Sequence, residues 1–468
     1  MIRKTEMTRR DWLQIATATG AAAAVSTRPC KFALAVESTT PHVLEVGSRR
    51  ELFVDRYLID QLDGMRLKLH EPRLAPPMLQ PADNLEYGTV IRDGDLFRLY
   101  TRDVRGAKFD GDEPEVTRYC ESRDGIHWTK PKLGLYEIDG SKENNIIMHE
   151  RWVCHNFSPF LDVRPGVTKE KRFKALAGVH KGGGLVAFTS GDGVHWRKLQ
   201  DKPVIAHNDF AFDSQNVSFW SETEQRYVCY FRTWKTPHGN LRTISRTSSQ
   251  VFVSWSGPVA LKPNFPGEHL YTSQTHPYFR APHIYIALPT RFHPQRGSST
   301  DIMFMTARGD SPYDRTFRET FIRPGLDPNR WGNRSNYAAL NVVPTSPTEM
   351  SIYTTPFRRF TLRTDGFASL HAGADSGEMV TSPFRFDGKT LVVNYSTSAG
   401  GSLKTELQNG AGERLQGFAL TDCKTLVGDS VEQQVRWEND PDLSAIAGMP
   451  VRLRFVMQEA DLFSLKFN

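Results

Sequence analysis

Residues 213–220, Asp-Ser-Gln-Asn-Val-Ser-Phe-Trp, alternate polar and apolar positions, residues 221–225 are all polar, and residues 226–232 are dense in β-branched and aromatic side chains. This pattern predicts a β-hairpin. It recurs at residues 88–100, 155–176, 271–288 and 336–353, a spacing of about 58–68 residues. A second landmark, a Ser-x-Asp-Gly-x-x-Trp turn, trails the hairpins by about 30–37 residues. It is clear at residues 122–128 and 190–196 and partial at Arg308-Gly309-Asp310 and Thr364-Asp365-Gly366-Phe367. In the third copy, residues 245–255, only the strand rhythm and a Trp remain. Asp-Gly between apolar runs is a strong hairpin signal, because Gly takes positive φ freely and Asp tolerates it. Each repeat therefore holds roughly four strands, and five such units predict an all-β fold, a five-bladed β-propeller.

The rest of the chain divides around that array. Residues 1–35 read as a twin-arginine signal peptide: Thr8-Arg9-Arg10-Asp11-Trp12-Leu13-Gln14, an Ala-rich apolar run from Ile15 to Val25, and Ala33-Leu34-Ala35 as the cleavage site. Residues 36–83 form an N-terminal segment whose alternating stretches between 50 and 70 are expected to supply an outer strand closing the ring, followed by a linker marked by Pro72, Pro76, Pro77 and Pro81. The propeller takes residues 84–376. Residues 377–468 carry short strands and Gly-rich turns without a further blade hairpin, which predicts a C-terminal β-sandwich.

Composition narrows the function classes. The formal charge of +6 is misleading, because six basic and two acidic residues fall within residues 1–35 and the remainder carries +2. No electrostatic footprint for nucleic acid is expected. Beyond the leader no apolar run approaches membrane-spanning length, so no membrane association is expected after cleavage. Cys120, Cys154, Cys229 and Cys423 are scattered on strand-like runs and read as buried thiols, with no metal-ligand spacing and no cofactor motif. The expected partners are a carbohydrate and the twin-arginine export machinery, and the expected location is periplasmic or extracellular.

In a closed propeller the starts of the innermost strands converge at one mouth of the channel. The acids at or just before those strands are Asp83 and Glu86 in blade one, Asp209 and Asp213 in blade three, and Glu268 in blade four. Blade two brings His155 and Asn156, and blade five brings Arg334 and Asn336. Gln215, Asn216 and His276 add further groups able to hold sugar hydroxyls, and Arg280 and Arg291 are placed to clamp a carboxylate. Cleavage of a glycosidic bond needs one carboxylic acid to protonate the leaving oxygen and one carboxylate as nucleophile or base.

Residues 121–131, Asp213-Ser214-Gln215-Asn216-Val217, Arg280-Ala281-Pro282-His283-Ile284-Tyr285 and Pro450-Val451-Arg452-Leu453-Arg454-Phe455 resemble exported planctomycete proteins described as like glycoside hydrolase family 32. The five-bladed architecture itself resembles families 32 and 43. The resemblance implies Glu86 as nucleophile or base, Asp213 as the stabilising acid and Glu268 as the proton donor. The family 32 pattern Trp-Met-Asn-Asp-Pro-Asn-Gly is absent, as are its Arg-Asp-Pro and Glu-Cys motifs. Three functions fit: a glycoside hydrolase using Glu86, Asp213 and Glu268; a polysaccharide lyase using His155, His276 or a Tyr as base with Arg280 on a uronate; and a non-catalytic carbohydrate-binding propeller.

Overall fold

Five antiparallel sheets follow one another along the chain in a computed structural model that describes residues 42–76, 85–207 and 211–468. The leader and the acids Asp83 and Asp209 lie outside the described residues. Blade one is Thr89–Asp93, Leu96–Asp103, Val116–Ser122 and Trp128–Thr129, with Ile146–Met148 pairing beside Val116–Ser122. Blade two is Ser158–Leu161, Phe173–Ala177, Val186–Ser190 and Arg197–Lys198, and blade three is Val217–Ser221, Arg226–Thr233, Thr243–Ser249 and Val259–Ala260. Blade four, His276–Tyr278, Ala281–Ala287 and Met305–Arg308, continues into a separate three-stranded sheet of His269–Leu270, Thr290–His293 and Ser299–Ile302. Blade five is Val343–Pro344, Glu349–Thr354 and Arg358–Arg363.

The first strands of the blades are neighbours in order around a ring. Blades five and one join through the parallel bridge of Thr89 and Leu340. Blades four and five join where the Val342 N–H donates to His276 Nε2 at 3.1 Å. The strand that completes blade five from the N-terminal side is Arg73–Leu74, not the 50–70 stretch. Proline explains the shift: Pro72 and Pro76 bracket three residues, Arg73 to Ala75, that can still pair, which suits a short edge strand.

The Asp-Gly turns sit where blades meet. Ser122 Oγ accepts the Gly125 N–H and Ser190 Oγ accepts the Gly193 N–H, both at 2.9 Å. The Tyr353 hydroxyl of blade five then donates to the Gly125 carbonyl at 2.6 Å, and the Tyr100 hydroxyl of blade one to the Gly193 carbonyl at 2.9 Å. Blade three keeps the same geometry although its sequence hides it. Ser249 Oγ accepts the Phe252 N–H at 2.8 Å, and Trp255 Nε1 donates to the Phe252 carbonyl at 3.0 Å, as Trp196 does to Gly193 at 3.1 Å. Phe252 holds φ 67° where Gly193 holds 78°. A left-handed conformation costs a non-glycine residue about 1–2 kcal/mol, and burying a Phe side chain returns about 1.5–3 kcal/mol; Phe252 is fully buried against Phe160, Tyr227 and Trp255.

The remaining strands form one ten-stranded sheet built from both ends of the described chain: Leu44–Gly47, Glu51–Leu52, Ile59–Asp63 and Met65–Leu69 with Ala368–Ala372, Gly377–Thr381, Phe384–Phe386, Leu391–Asn409, Asp429–Gln434 and Val451–Phe467. The two long strands pair along most of their length, and register breaks between Thr397 and Ser402. Residues on both sides of that break feed one buried cluster, including Leu403, Leu407, Phe455 and Met457 from one half and Leu391, Val393, Leu462 and Phe467 from the other. Strands that change layer at a bulge build a sandwich-like core in this way. Residues 43–468 form one compact unit. Asp365, fully buried, ties blade five to the ten-stranded sheet by accepting from Tyr278 Oη at 2.7 Å, Arg280 Nη1 at 2.9 Å, Asn394 Nδ2 at 3.0 Å and Ser464 Oγ at 2.7 Å.

Candidate active site

Ahead of each inner strand the backbone takes a positive φ at a non-glycine residue: Tyr87, Trp152, Phe212 and Gln274 in blades one to four, and Arg334 and Asn341 in blade five. Such conformations persist where the surroundings over-determine them, and they gather at functional sites. Here they aim five strand entries at one mouth of the channel. The channel is plugged beneath by amides. Gln215 Nε2 donates to the Gly88 carbonyl at 3.1 Å and Thr89 Oγ1 at 2.9 Å, and Gln274 Nε2 donates to Gln215 Oε1 and the Ala338 carbonyl, both at 2.6 Å. On the other side of the plug the inner strands line a mainly apolar cavity of about 560 Å³, walled by Phe160, Phe219, Trp220 and Tyr278 among others. The charged groups lie on the other, polar side.

Blades one and three build their part of that mouth the same way. The acid ahead of the inner strand pairs with an arginine two residues beyond the tyrosine that faces that strand's start. In blade three Asp213 is in direct ion-pair contact with Arg232, and Val217 faces Tyr230. In blade one Arg102 Nη1 lies 3.7 Å from Glu86 Oε2, and Thr89 faces Tyr100. Arg102 also binds Glu115 at 2.6 Å and lies 3.8 Å from Asp110. Arg334, from blade five, reaches Glu86 at 3.5 Å and Asp110 at 3.7 Å. His155, from blade two, places Nδ1 3.5 Å from Glu115 and 3.9 Å from Asp110, with Nε2 3.5 Å from the Asp213 carbonyl. One network thus links four blades.

A tyrosine wall completes it. Tyr87 stacks on Tyr337 with centroids 5.9 Å apart, Tyr337 tilts against Tyr271 at 5.4 Å, and the Tyr87 hydroxyl donates to the Asp213 carbonyl at 3.3 Å. Arg232 lies over the Tyr271 ring at 4.6 Å and Arg242 at 5.0 Å. Arg242 also packs on Trp234 at 4.6 Å.

These contacts set the charge states. Burial raises the Tyr271 hydroxyl, but Arg232, Arg334 and Arg242 outweigh it and hold it below the usual phenol value. Burial pushes Tyr87 and Tyr337 well above theirs. For Glu115 burial works upward, and His155 with Arg102 brings the net shift below the ordinary carboxylate value. Burial keeps His155 below the usual imidazole value despite Glu115. The mouth therefore holds an ionised Glu115, a neutral imidazole and one acidified phenol.

The residues expected from sequence divide accordingly. Glu86, Asp213, His155 and Arg334 meet at the mouth. The polar atoms of Asn156, Gln215 and His276 and the Asn216 amide nitrogen are occupied within the protein, while Asn216 Oδ1 is buried without a hydrogen-bond partner among the described residues. Asn156 Nδ2 donates to the Gly178, Phe212 and Ser214 carbonyls at 3.0, 2.5 and 3.0 Å, and Asn216 Nδ2 to the Phe212 and Ser214 carbonyls at 3.2 and 3.0 Å. His276 bonds the Gln274 carbonyl at 2.8 Å through Nδ1, and burial lowers its pKa to about 4. Glu268 is held by both Arg315 Nη atoms, at 2.9 and 3.0 Å, and by the Phe265 N–H at 3.1 Å. None of the ion pairs joining Glu86, Asp110, Glu115 and Asp213 reaches it among the described residues. Arg280 is engaged by Asp365 and Glu432 at the seam with the ten-stranded sheet, and Arg291 binds Asp301 at 2.6 Å. Asn336 is likewise internal, bonding Arg330 and Thr300.

Sequence reasoning missed Arg102, Asp110, Glu115, Arg232, Arg242, Tyr271 and Tyr337. The arginines had a signal: Tyr100-Thr101-Arg102 and Tyr230-Phe231-Arg232 occupy matching places in blades one and three. Asp110 and Glu115 lie in an irregular excursion, residues 104–115, that has no counterpart in the repeat.

No family model matches the chain. It is 28% identical over 151 residues to the uncharacterized protein Rv1502 of Mycobacterium tuberculosis strain H37Rv, a match covering 31% of this chain and 46% of the relative. An uncharacterized protein of strain CDC 1551 matches to the same extent. The chain thus spans about half the length of the curated relatives it matches. Among solved structures it is similar to a glycoside hydrolase family 43 arabinoxylan arabinofuranohydrolase from Bacillus subtilis, at 14% identity, 84% of this chain and 97% of that one, with a TM-score of 0.42. It is also similar to an exo-inulinase from Aspergillus awamori, at 12% identity, 89% of this chain, 99% of that one and 0.36. A β-1,2-mannobiose phosphorylase from Listeria innocua gives 12% identity, 64% and 97% coverage and 0.43. At such scores these likenesses carry no argument about residues or chemistry.

Proposed function

We propose that the protein cleaves glycosidic bonds at the polar mouth of its channel, as a glycoside hydrolase. One observation carries this reading: Glu86 and Asp213, carboxylates from different blades, stand at the same mouth, each paired with a guanidinium group; Arg102 and Arg334 join Glu86 to a third carboxylate, Asp110, and the Tyr87 hydroxyl donates to the Asp213 carbonyl. Arg102 and Arg334 hold the Glu86 carboxylate in place from two blades, which suits a nucleophile or the base that activates water. Glu268 cannot take the donor role while bound to Arg315, and the role falls to Asp110. That carboxyl is 39% exposed, the most of the four acids at the mouth, and Arg102, Arg334 and His155 stand 3.7–3.9 Å from it, beyond hydrogen-bond distance. Phe109 and Trp152, tilted together at 5.8 Å beside Asp110, and Trp234 on the far side offer apolar faces on which sugar rings stack.

Tyr271 favours a second reading, β-elimination from a uronate, because a phenol flanked by Arg232, Arg242 and Arg334 is a ready base beside a site for the substrate carboxylate. Incubation with a panel of plant and algal polysaccharides separates the two. Hydrolysis yields new reducing ends alone, and elimination yields reducing ends together with the ultraviolet absorbance of an unsaturated uronate. Neither signal across the panel, with sugars still binding, leaves a carbohydrate-binding propeller instead.

Export through the twin-arginine pathway to the periplasm or beyond belongs to the same proposal, supported by Arg9-Arg10 ahead of the Ala-rich run. A reporter fused to residues 1–40 should leave the cytoplasm, and should stay there when both arginines become lysine.

A further inference from the structure

The mouth holds donors without acceptors. Arg232, 97% buried, has Nε and Nη1 without hydrogen-bond partners among the described residues, and the same is true of Arg242 Nε, Arg102 Nε and Tyr337 Oη. Buried polar groups are nearly always paired, so such a concentration marks a place where something else supplies the acceptors. The charge is uneven as well. Arg102, Arg232 and Arg334 each face a carboxylate, whereas no carboxylate among the described residues pairs with Arg242. Its nearest polar partner is His269 Nδ1, 3.5 Å from Nη1. Two guanidinium groups, one without a counter-ion among the described residues, thus lie against the same Tyr271 ring. Arg232 and burial together make the Arg242 guanidinium less readily charged than usual. An anion between them would relieve that repulsion.

We propose that Arg232, Arg242 and Tyr271, with Arg334 at the open side, form a subsite for an oxyanion carried on the sugar, either the carboxylate of a uronic acid or a sulfate ester. This rests on the reading of the mouth as a glycan site and names the class of glycan. Arg232 is held by Asp213 and by stacking on Tyr271, so its free donors are oriented before ligand arrives. Arg242 is held flat on Trp234 and Phe292, at 4.6 and 4.8 Å. Guanidinium groups fixed in this way lose little freedom on binding and match planar or tetrahedral oxyanions.

The test is calorimetric binding to the full chain of three oligosaccharides of equal length: an oligogalacturonate, a sulfated galactan fragment and a neutral galactan fragment, with sodium sulfate as the free-anion control. One anionic sugar should bind at least about 10-fold tighter than the neutral one, and which one does so identifies the oxyanion. The R242Q variant should weaken that binding about 10- to 100-fold, as loss of a charge-assisted hydrogen bond does, and leave neutral binding unchanged. R334Q, at a more exposed position, should weaken the anionic binding likewise if R242Q does not fold. Equal affinity for neutral and anionic sugars, an unmoved affinity in both variants, or sodium sulfate binding as tightly as the sugar overturns the subsite. Anionic sugars bound but never cleaved uphold the subsite and remove the proposed hydrolysis; cleavage confined to neutral glycans does the reverse.

Discussion

Replacing Arg102 by Met tests whether the mouth is held together electrostatically. The guanidinium lies 2.6 Å from Glu115, 3.7 Å from Glu86 and 3.8 Å from Asp110, and the Glu115 and Glu86 side chains are 1% and 6% exposed. Removing one partner from a buried ion pair costs about 3–5 kcal/mol, because the remaining charge stays desolvated. Unfolding entropy of about 2.1 cal/mol/K per residue gives a unit of roughly 430 residues about 0.9 kcal/mol/K, so Tm should fall by about 3–6 °C at pH 7. The pH dependence is the sharper signature. In the wild type Glu115 has a lowered pKa, so its stabilisation is complete above the unfolded value of about 4.3 and is lost as pH falls through the folded value. In R102M burial is opposed by His155 alone, so the Glu115 pKa rises from its wild-type value and the penalty of the unpaired carboxylate shrinks as it protonates. Scanning calorimetry from pH 7 to pH 4 should show the Tm gap narrowing. A gap under 1 °C, or one that does not change with pH, would refute the electrostatic account of the mouth.

Other perturbations follow from single contacts. Glu268→Gln should leave turnover within about 3-fold while lowering Tm through an uncompensated Arg315; a large drop in turnover would return Glu268 to the site. Gly193→Ala puts a Cβ 2.6 Å from Tyr100 Oη at φ +78°, and should destabilise by about 2–3 kcal/mol from left-handed strain and the lost Tyr100 bond, read by chemical denaturation. Asp365→Asn, which removes the charge facing Arg280 and two hydroxyl donors, should cost about 3–5 kcal/mol and make the ten-stranded sheet more accessible to hydrogen exchange. Tyr271→Phe separates the two chemistries: elimination should lose activity by about 100-fold or more, whereas hydrolysis should persist.

The fold was legible because a propeller repeats a local pattern: the Asp-Gly turn is whole in blades one and two and survives in part in blades four and five, and only the third blade loses it altogether. There Phe252 performs the backbone role that sequence reading assigns to Gly, since its φ is enforced by packing that no local pattern records. The pairing of Arg73–Leu74 with blade five and the union of the N-terminal strands with residues 368–467 are long-range choices, invisible to periodicity. At the site, Glu86 and Asp213 were visible as acids at strand entries. Glu268 looked equivalent, but Arg315, 47 residues later, captures it. Asn156, Gln215, Asn216 and His276 show how inner-strand polar residues bond the channel's own backbone. Asp110 and Glu115 break the repeat, so an alignment of blades could not place them.

The central claim is that Glu86 takes part in breaking glycosidic bonds at this mouth. The measurement that tests it most directly is release of reducing ends by wild type and by Glu86→Gln on the most susceptible polysaccharide of the panel, with Tm of both recorded. Loss of a nucleophile or base should lower turnover by about 100- to 10,000-fold with the fold retained. No release by the wild type on any polysaccharide, or equal release by a folded Glu86→Gln, would contradict it.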